Sequence, residues 1–179
     1  MARSVRRRMR RIVMWMPVVV LVGGMTFAAE PGPKGDGLDP RVRSTNPVIA
    51  SAIQAAQAGS ETFRALVRTI EDTDGIVYVE RGQCRHGVAA CLSLSVHSGG
   101  GYRLLRILVD SVDDLVSLIA TLAHELRHAI ELLSEPAVKT AAAAYNFYLR
   151  EAPTSRDAFE TIAAIQTGLQ VEREFRRSR

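Results

Sequence analysis

Histidine is scarce in this chain: it occurs at positions 86, 97, 124 and 128 and nowhere after 128. That excludes the zinc motif H-E-x-x-H-x-x-G-x-x-H, because no third histidine follows and Glu131 stands where its glycine belongs. Cysteine is scarcer still. Cys84 and Cys91 are the only two, so no four-cysteine metal site is possible. No acidic residue precedes Glu30, and no apolar run reaches the ~20 residues that span a bilayer. The longest, residues 12–25, is interrupted by Pro17 and by Gly23 and Gly24. Around Asp72 and Asp74 the twelve-residue loop with a closing glutamate that calcium needs is missing, so Asp72-Thr73-Asp74-Gly75 reads as a turn. No internal repeat is present.

What is present centres on Leu122-Ala123-His124-Glu125-Leu126-Arg127-His128-Ala129-Ile130, with the pattern H-E-x-x-H at its middle. On a helix, residues four apart lie one turn above each other, so His124 and His128 can aim imidazole nitrogens at one point. Zinc takes neutral imidazoles in a tetrahedral shell, and Glu125, beside the first ligand, is placed to act on water as a general base. Leu115, Leu118, Ile119, Leu122, Leu126, Ala129, Ile130 and Leu133 recur at helical spacing around the pattern. The helix is therefore buried along one stripe, which sets it apart from a solvated surface helix.

Charge divides the chain. The formal net charge is +4, but Arg3, Arg6, Arg7, Arg8, Arg10 and Arg11 supply six of the 23 basic residues. Beyond residue 29 there remain 17 basic residues against 19 acidic ones, so nucleic-acid binding has no support from charge. The arginines, the apolar run and Thr26-Phe27-Ala28-Ala29 have the layout of a secretory signal peptide cleaved after Ala28 or Ala29. The expected product is exported, to a periplasm or the outside, and touches a membrane only through that segment if it is left uncleaved. In an oxidising compartment Cys84 and Cys91 are expected to form a disulfide.

The expected domain plan is a signal peptide at 1–29, a flexible Gly/Pro-rich arm at 30–47 and one globular domain at 48–179. Apolar residues at 47% and charged residues at 23% fit a packed core. Helices are expected at 48–58, at 61–71 with Ser60 as N-cap, from Ser111 through residue 133, at 138–149 and from Asp157 to 175. Strands are expected at 76–80, 90–96 and 102–110, the last two joined by a hairpin at Gly99-Gly100-Gly101, with His97 at its tip. This makes an α+β domain with a short antiparallel sheet, and the strand at 102–110 is a candidate edge for an added peptide.

A catalytic zinc needs a third protein ligand. Paired cysteines are excluded, and Glu131 and Glu135 follow His128 too closely on the same helix to close a tetrahedron. Glu160, on a separate helix after two breaks, is the choice left, with Glu172 as the fallback. The pair H-E-x-x-H and a later Glu160 followed by small residues resembles the gluzincin branch of zinc metallopeptidases. Residues 104–175 also resemble a small secreted bacterial family of uncharacterised metallopeptidases.

The resemblance implies a zincin-like domain with His124, His128 and Glu160 as ligands of one catalytic Zn2+, Glu125 as general base, and a peptide or protein substrate. Tyr145 or Tyr148 is a candidate oxyanion donor, although core packing is the commoner use of such rings. The alternative function is a metal-binding or secreted interaction domain that keeps the motif without catalysis. N-terminal sequencing of exported material is expected to begin near Glu30; a start at Met1 overturns the processing reading.

Overall fold

The computed structural model describes residues 40–84, 87–111, 113–151 and 159–179. The export segment, the arm up to residue 39, His86, the break at 152–155 and Asp157 lie outside the described residues. The chain order is β1 (Val42–Arg43), α1 (Pro47–Gly59), α2 (Glu61–Glu71), β2 (Gly75–Arg81), β3 (Ala90–Gly99), β4 (Tyr102–Val109), α3 (Leu115–Leu133), α4 (Ala141–Glu151) and α5 (Ile162–Arg177). Together these form a small α+β domain.

The helix starts follow from side chains that satisfy otherwise orphaned N–H groups. Asn46 accepts from Val48 and Ile49 at α1, Ser60 from Phe63 at α2, and Asp114 from Val116 and Ser117 at α3. Asp114 rather than the expected Ser111 therefore opens α3. Between β3 and β4, Gly100 and Gly101 both have positive φ, 60° and 82°, which a two-residue hairpin turn needs. His97 lies within β3, opposite Leu104, rather than at the tip.

The sheet is mixed and runs β1-β2-β4-β3. Only β3 and β4 are antiparallel; β2 lies parallel to β4, and β1 parallel to β2. This corrects the antiparallel expectation. β2 ends and β3 begins at the same end of the sheet, on either side of β4, and two strand spacings are only ~10 Å, well within the reach of the eight residues between them. The crossing is tied down by Gly82 N–H to the Val109 carbonyl, Asp110 N–H to the Ala89 carbonyl, and the Cys84–Cys91 disulfide. Because β4 is enclosed between β2 and β3, it offers no edge; the open edge next to the helices is β3. The arm also ends earlier than expected, since Arg41 and Val42 are buried and β1 is part of the sheet.

Along β2 and β4 burial alternates, with Val77, Val79, Leu105, Ile107 and Val109 inside. Their face is covered by the helices, α3 in the middle with Ile119, Leu122, Ala123, Leu126 and Ala129 fully enclosed. At the end of α3, Arg103 of β4 donates to the carbonyls of Leu132, Leu133, Glu135 and Val138 and grips the Asp74 carboxylate, all from a side chain that is 4% exposed. α5 runs antiparallel to α3, with Thr161 against Glu131 and Gly168 against Ala120 and His124. A Cβ at Gly168 would lie 3.1 Å from the Ala120 carbonyl oxygen, so glycine lets α5 come this close to the motif helix. No helix among the described residues is long and apolar enough to cross a membrane.

The far end of α5 is pinned to the start of α2. Glu174 accepts from Ser60 Oγ at 2.6 Å and from the N–H and Oγ1 of Thr62 at 3.0 and 2.7 Å. Burial pushes this carboxyl up, but the hydrogen bonds from Ser60, Thr62 and Gln170 outweigh it and bring it down to about 2. A depressed folded pKa means that the contribution is complete above the unfolded value of 4.5 and is lost as pH falls towards about 2. Urea unfolding is expected to show Glu174→Gln less stable than wild type by about 1 kcal/mol, the usual worth of a cap, at pH 6. The gap should close between pH 4.5 and 2; a gap independent of pH over that window contradicts the assignment.

Candidate metal centre

The middle of α3 brings His124, Glu125 and His128 under the N-terminal half of β3. His128 Nε2 lies 3.2 Å from His124 Nε2, and His124 Nε2 lies 3.1 Å from Glu160 Oε2. One ligand atom from each of the three residues falls within 4.8 Å of the others. Nitrogen ligands about 2.0–2.1 Å from a tetrahedral zinc stand ~3.3 Å apart, so the spacing of the two imidazoles suits that ion.

Proton placement supports the fit. His128 Nδ1 is 3.0 Å from Glu131 Oε2. Burial pushes the Glu131 carboxyl up, but hydrogen bonds from His128 and Thr161 outweigh it and hold it below its ordinary value. The Glu131 carboxylate is thus placed to accept from an Nδ1–H of His128, the tautomer that leaves Nε2 facing the centre. Burial, and then His128, push the His124 imidazole below its ordinary value against the pull of Glu160 and Glu131, which favours the neutral ring that metals bind. Two imidazole nitrogens and a carboxylate oxygen converge with no basic side chain among them. That donor set fits a cation.

Glu160 arrives differently from the sequence expectation. α5 begins at Ile162 with Thr161 as N-cap, so Glu160 lies before the helix and not in its first turn. Glu160 therefore shares no helical face with the small residues Ala163 and Ala164 that follow it. Ala164 is buried on α5, while Glu160 reaches His124 from the non-helical residues ahead of it. Phe159 anchors that segment by stacking on Tyr148 with ring centres 5.4 Å apart. The fallback Glu172 is bound by Arg176 in the second half of α5. Glu135 faces the turn after α3, where it accepts from Ala137 N–H.

Glu125 is buried, 6% exposed, and its Oε2 accepts from Leu92 N–H of β3 at 2.6 Å. Burial raises its pKa to about 7, against the pull of His128 and the Leu92 bond. Glu125 and His128 line a groove of about 570 Å3 shared with Leu92, Leu94, Tyr148 and Glu160. The ladder between β3 and β4 loses register between Ser93 and His97, beside this groove. Tyr148 is not presented as an oxyanion donor. Tyr148 gives its only proton to the His128 carbonyl, at 2.9 Å, and Tyr145 packs edge-on against Phe159.

Sequence reasoning missed Glu131, Thr161 and the Leu92 N–H. A carboxylate three residues after His128 was a signal for the first, weighed only as a ligand and set aside. The chain matches no family model, no curated protein and no solved structure.

Glu160→Ala is expected to weaken Zn2+ binding by more than about 100-fold, beyond the 10–100-fold typical of an outer partner, with the fold intact by circular dichroism. Competition with a chromophoric chelator measures it. Wild-type affinity in that variant, with loss in Glu172→Ala, would move the ligand to Glu172.

Proposed function

We propose that this chain is a secreted zinc-dependent hydrolase, a small metallopeptidase that resembles the gluzincins and cleaves peptide bonds. The observation that carries the reading is the convergence of His124, His128 and Glu160, the last two of which line a groove together with Glu125 and residues of the edge strand β3. When bound, zinc supplies Lewis acidity towards a carbonyl and makes water acidic enough to serve as a nucleophile near neutral pH.

The chain's own residues do the rest. An extended peptide lies along β3, whose outer N–H and C=O groups other than the Leu92 N–H extend the sheet by one strand. Glu125, held by Leu92 N–H, takes the proton of the attacking water and passes it to the leaving amine. Leu92 and Leu94 of the groove, with Phe159, exclude water from the centre and favour an apolar side chain of the substrate.

Glu125→Gln should retain stoichiometric zinc and the wild-type fold and lose at least about 10²-fold in hydrolysis of a mixed, fluorescently quenched peptide library. Loss of the metal in this variant would show that Glu125 is a ligand. Wild-type protein that binds one zinc and cleaves nothing in the library favours the non-catalytic binding domain instead.

A further inference from the structure

An imidazole ligates through one nitrogen only when its proton is kept on the other, and its direction is as free as its side-chain torsions allow. His128 is constrained in both respects. Its ring is buried at 5% exposure, the backbone carbonyl above it accepts from Tyr148, and its Nδ1 meets Glu131. Side chains on a helix lean towards its N-terminus, so a carboxylate at i+3 reaches back over one turn. From there Glu131 meets the near nitrogen of His128, Nδ1, and leaves the far nitrogen for the centre. The same lean explains why Glu131 is not itself a ligand.

The second oxygen of Glu131 is also engaged. Oε1 accepts from Thr161 Oγ1 at 2.8 Å, while Thr161 Oγ1 accepts from Ala164 N–H at 3.1 Å as the N-cap of α5. A hydroxyl has one proton and two lone pairs, so these two bonds fix its orientation. Thr161 is the neighbour of Glu160. The chain Ala164 N–H, Thr161 hydroxyl, Glu131 carboxylate and His128 imidazole thus joins the start of α5, which carries one site residue, to the α3 residue that carries another.

We infer that Glu131 is the positioning residue of this centre, selecting the Nδ1–H form of His128 and, through Thr161, setting the place of Glu160. The inference rests on reading the centre as a zinc site. It assigns Glu131 and Thr161 no contact with substrate. Outer partners of this kind contribute 10–100-fold in metal affinity.

The test uses the full chain in three variants, Glu131→Ala, Glu131→Gln and Thr161→Val, with Thr161→Ser as the conservative rescue. The first readout needs no metal: nitrogen NMR of the metal-free protein reports which imidazole nitrogen of His128 carries the proton. Wild type and Glu131→Gln, which keeps an accepting oxygen, are expected to hold Nδ1–H, and Glu131→Ala to lose that preference. The second readout is Zn2+ affinity by chelator competition, expected to fall about 10–100-fold in Glu131→Ala and less in Glu131→Gln. Thr161→Val should weaken binding about tenfold, with Thr161→Ser close to wild type. A third is the visible spectrum of the Co2+-loaded chain, in which a reoriented His128 changes the ligand field.

Folded Glu131→Ala protein with the wild-type tautomer and wild-type Zn2+ affinity overturns the inference and leaves the proposed function standing. Equal losses in Thr161→Val and Thr161→Ser overturn the part played by the Thr161 hydroxyl. Wild-type chain that binds no Zn2+ overturns the zinc reading itself, and the inference with it.

Discussion

The guanidinium of Arg103 is the point at which sheet and motif helix are made one body. It has left water for a site that is 4% exposed, and it is stabilised there by the Asp74 carboxylate and four backbone carbonyls at and beyond the end of α3. Two of them, Leu132 and Leu133, belong to the last turn of α3, where a helix runs out of its own i+4 donors. Removing Asp74 would leave the buried Arg103 charge with carbonyl partners only, at a cost below the ~3–5 kcal/mol of a fully buried pair, since the Asp74 side chain is 29% exposed. With one end of α3 held against β4 in this way, the height of His124 and His128 beneath β3 is determined by helix geometry alone. Contact between Glu125 and Leu92 follows from that placement.

The centre itself has a firm side and an open side. His128 is enclosed, with its ring edge-on to Tyr148 at 5.5 Å and its Nδ1 on Glu131. His124 and Glu160 are more accessible, their side chains 19% and 43% exposed. On the proposed function a substrate would approach past Glu160, whereas the buried His128 is the residue whose orientation the protein controls most closely. Gly168 serves the same end from behind, since it allows the α5 backbone against the carbonyl of Ala120, one turn before His124.

Features set by local chemistry were legible in the sequence. The spacing of His124 and His128, the cap at Ser60, the glycines of the hairpin and the Cys84–Cys91 bridge each depend on residues within a few positions of one another. Sheet order was not, because alternation along β2 and β4 reports which face is buried and says nothing about the neighbouring strand. The two-residue β1 is too short to show any period. The start of α5 was misplaced because Asp157 and Thr161 are both good caps. Only the tertiary bond from Thr161 to Glu131 shows what the second of them does. Glu131 was weighed for reach towards a metal, and its role in holding a proton on His128 appears only when side-chain directions are known.

The open edge of β3 has a cost for the free protein. A strand whose outer N–H and C=O groups lack a partner strand is a template for any extended chain, a second copy included. Three features of β3 limit such self-association. Register breaks between Ser93 and His97, so the straight length available for pairing is short. Serines alternate through Leu92-Ser93-Leu94-Ser95, keeping one side of the strand polar. The Leu92 N–H is already bonded to Glu125, so a copy docking in register meets a donor that is taken and, behind it, a carboxylate. The bond that holds the proposed base in place is thus also one of the features that keep this edge from nucleating aggregates.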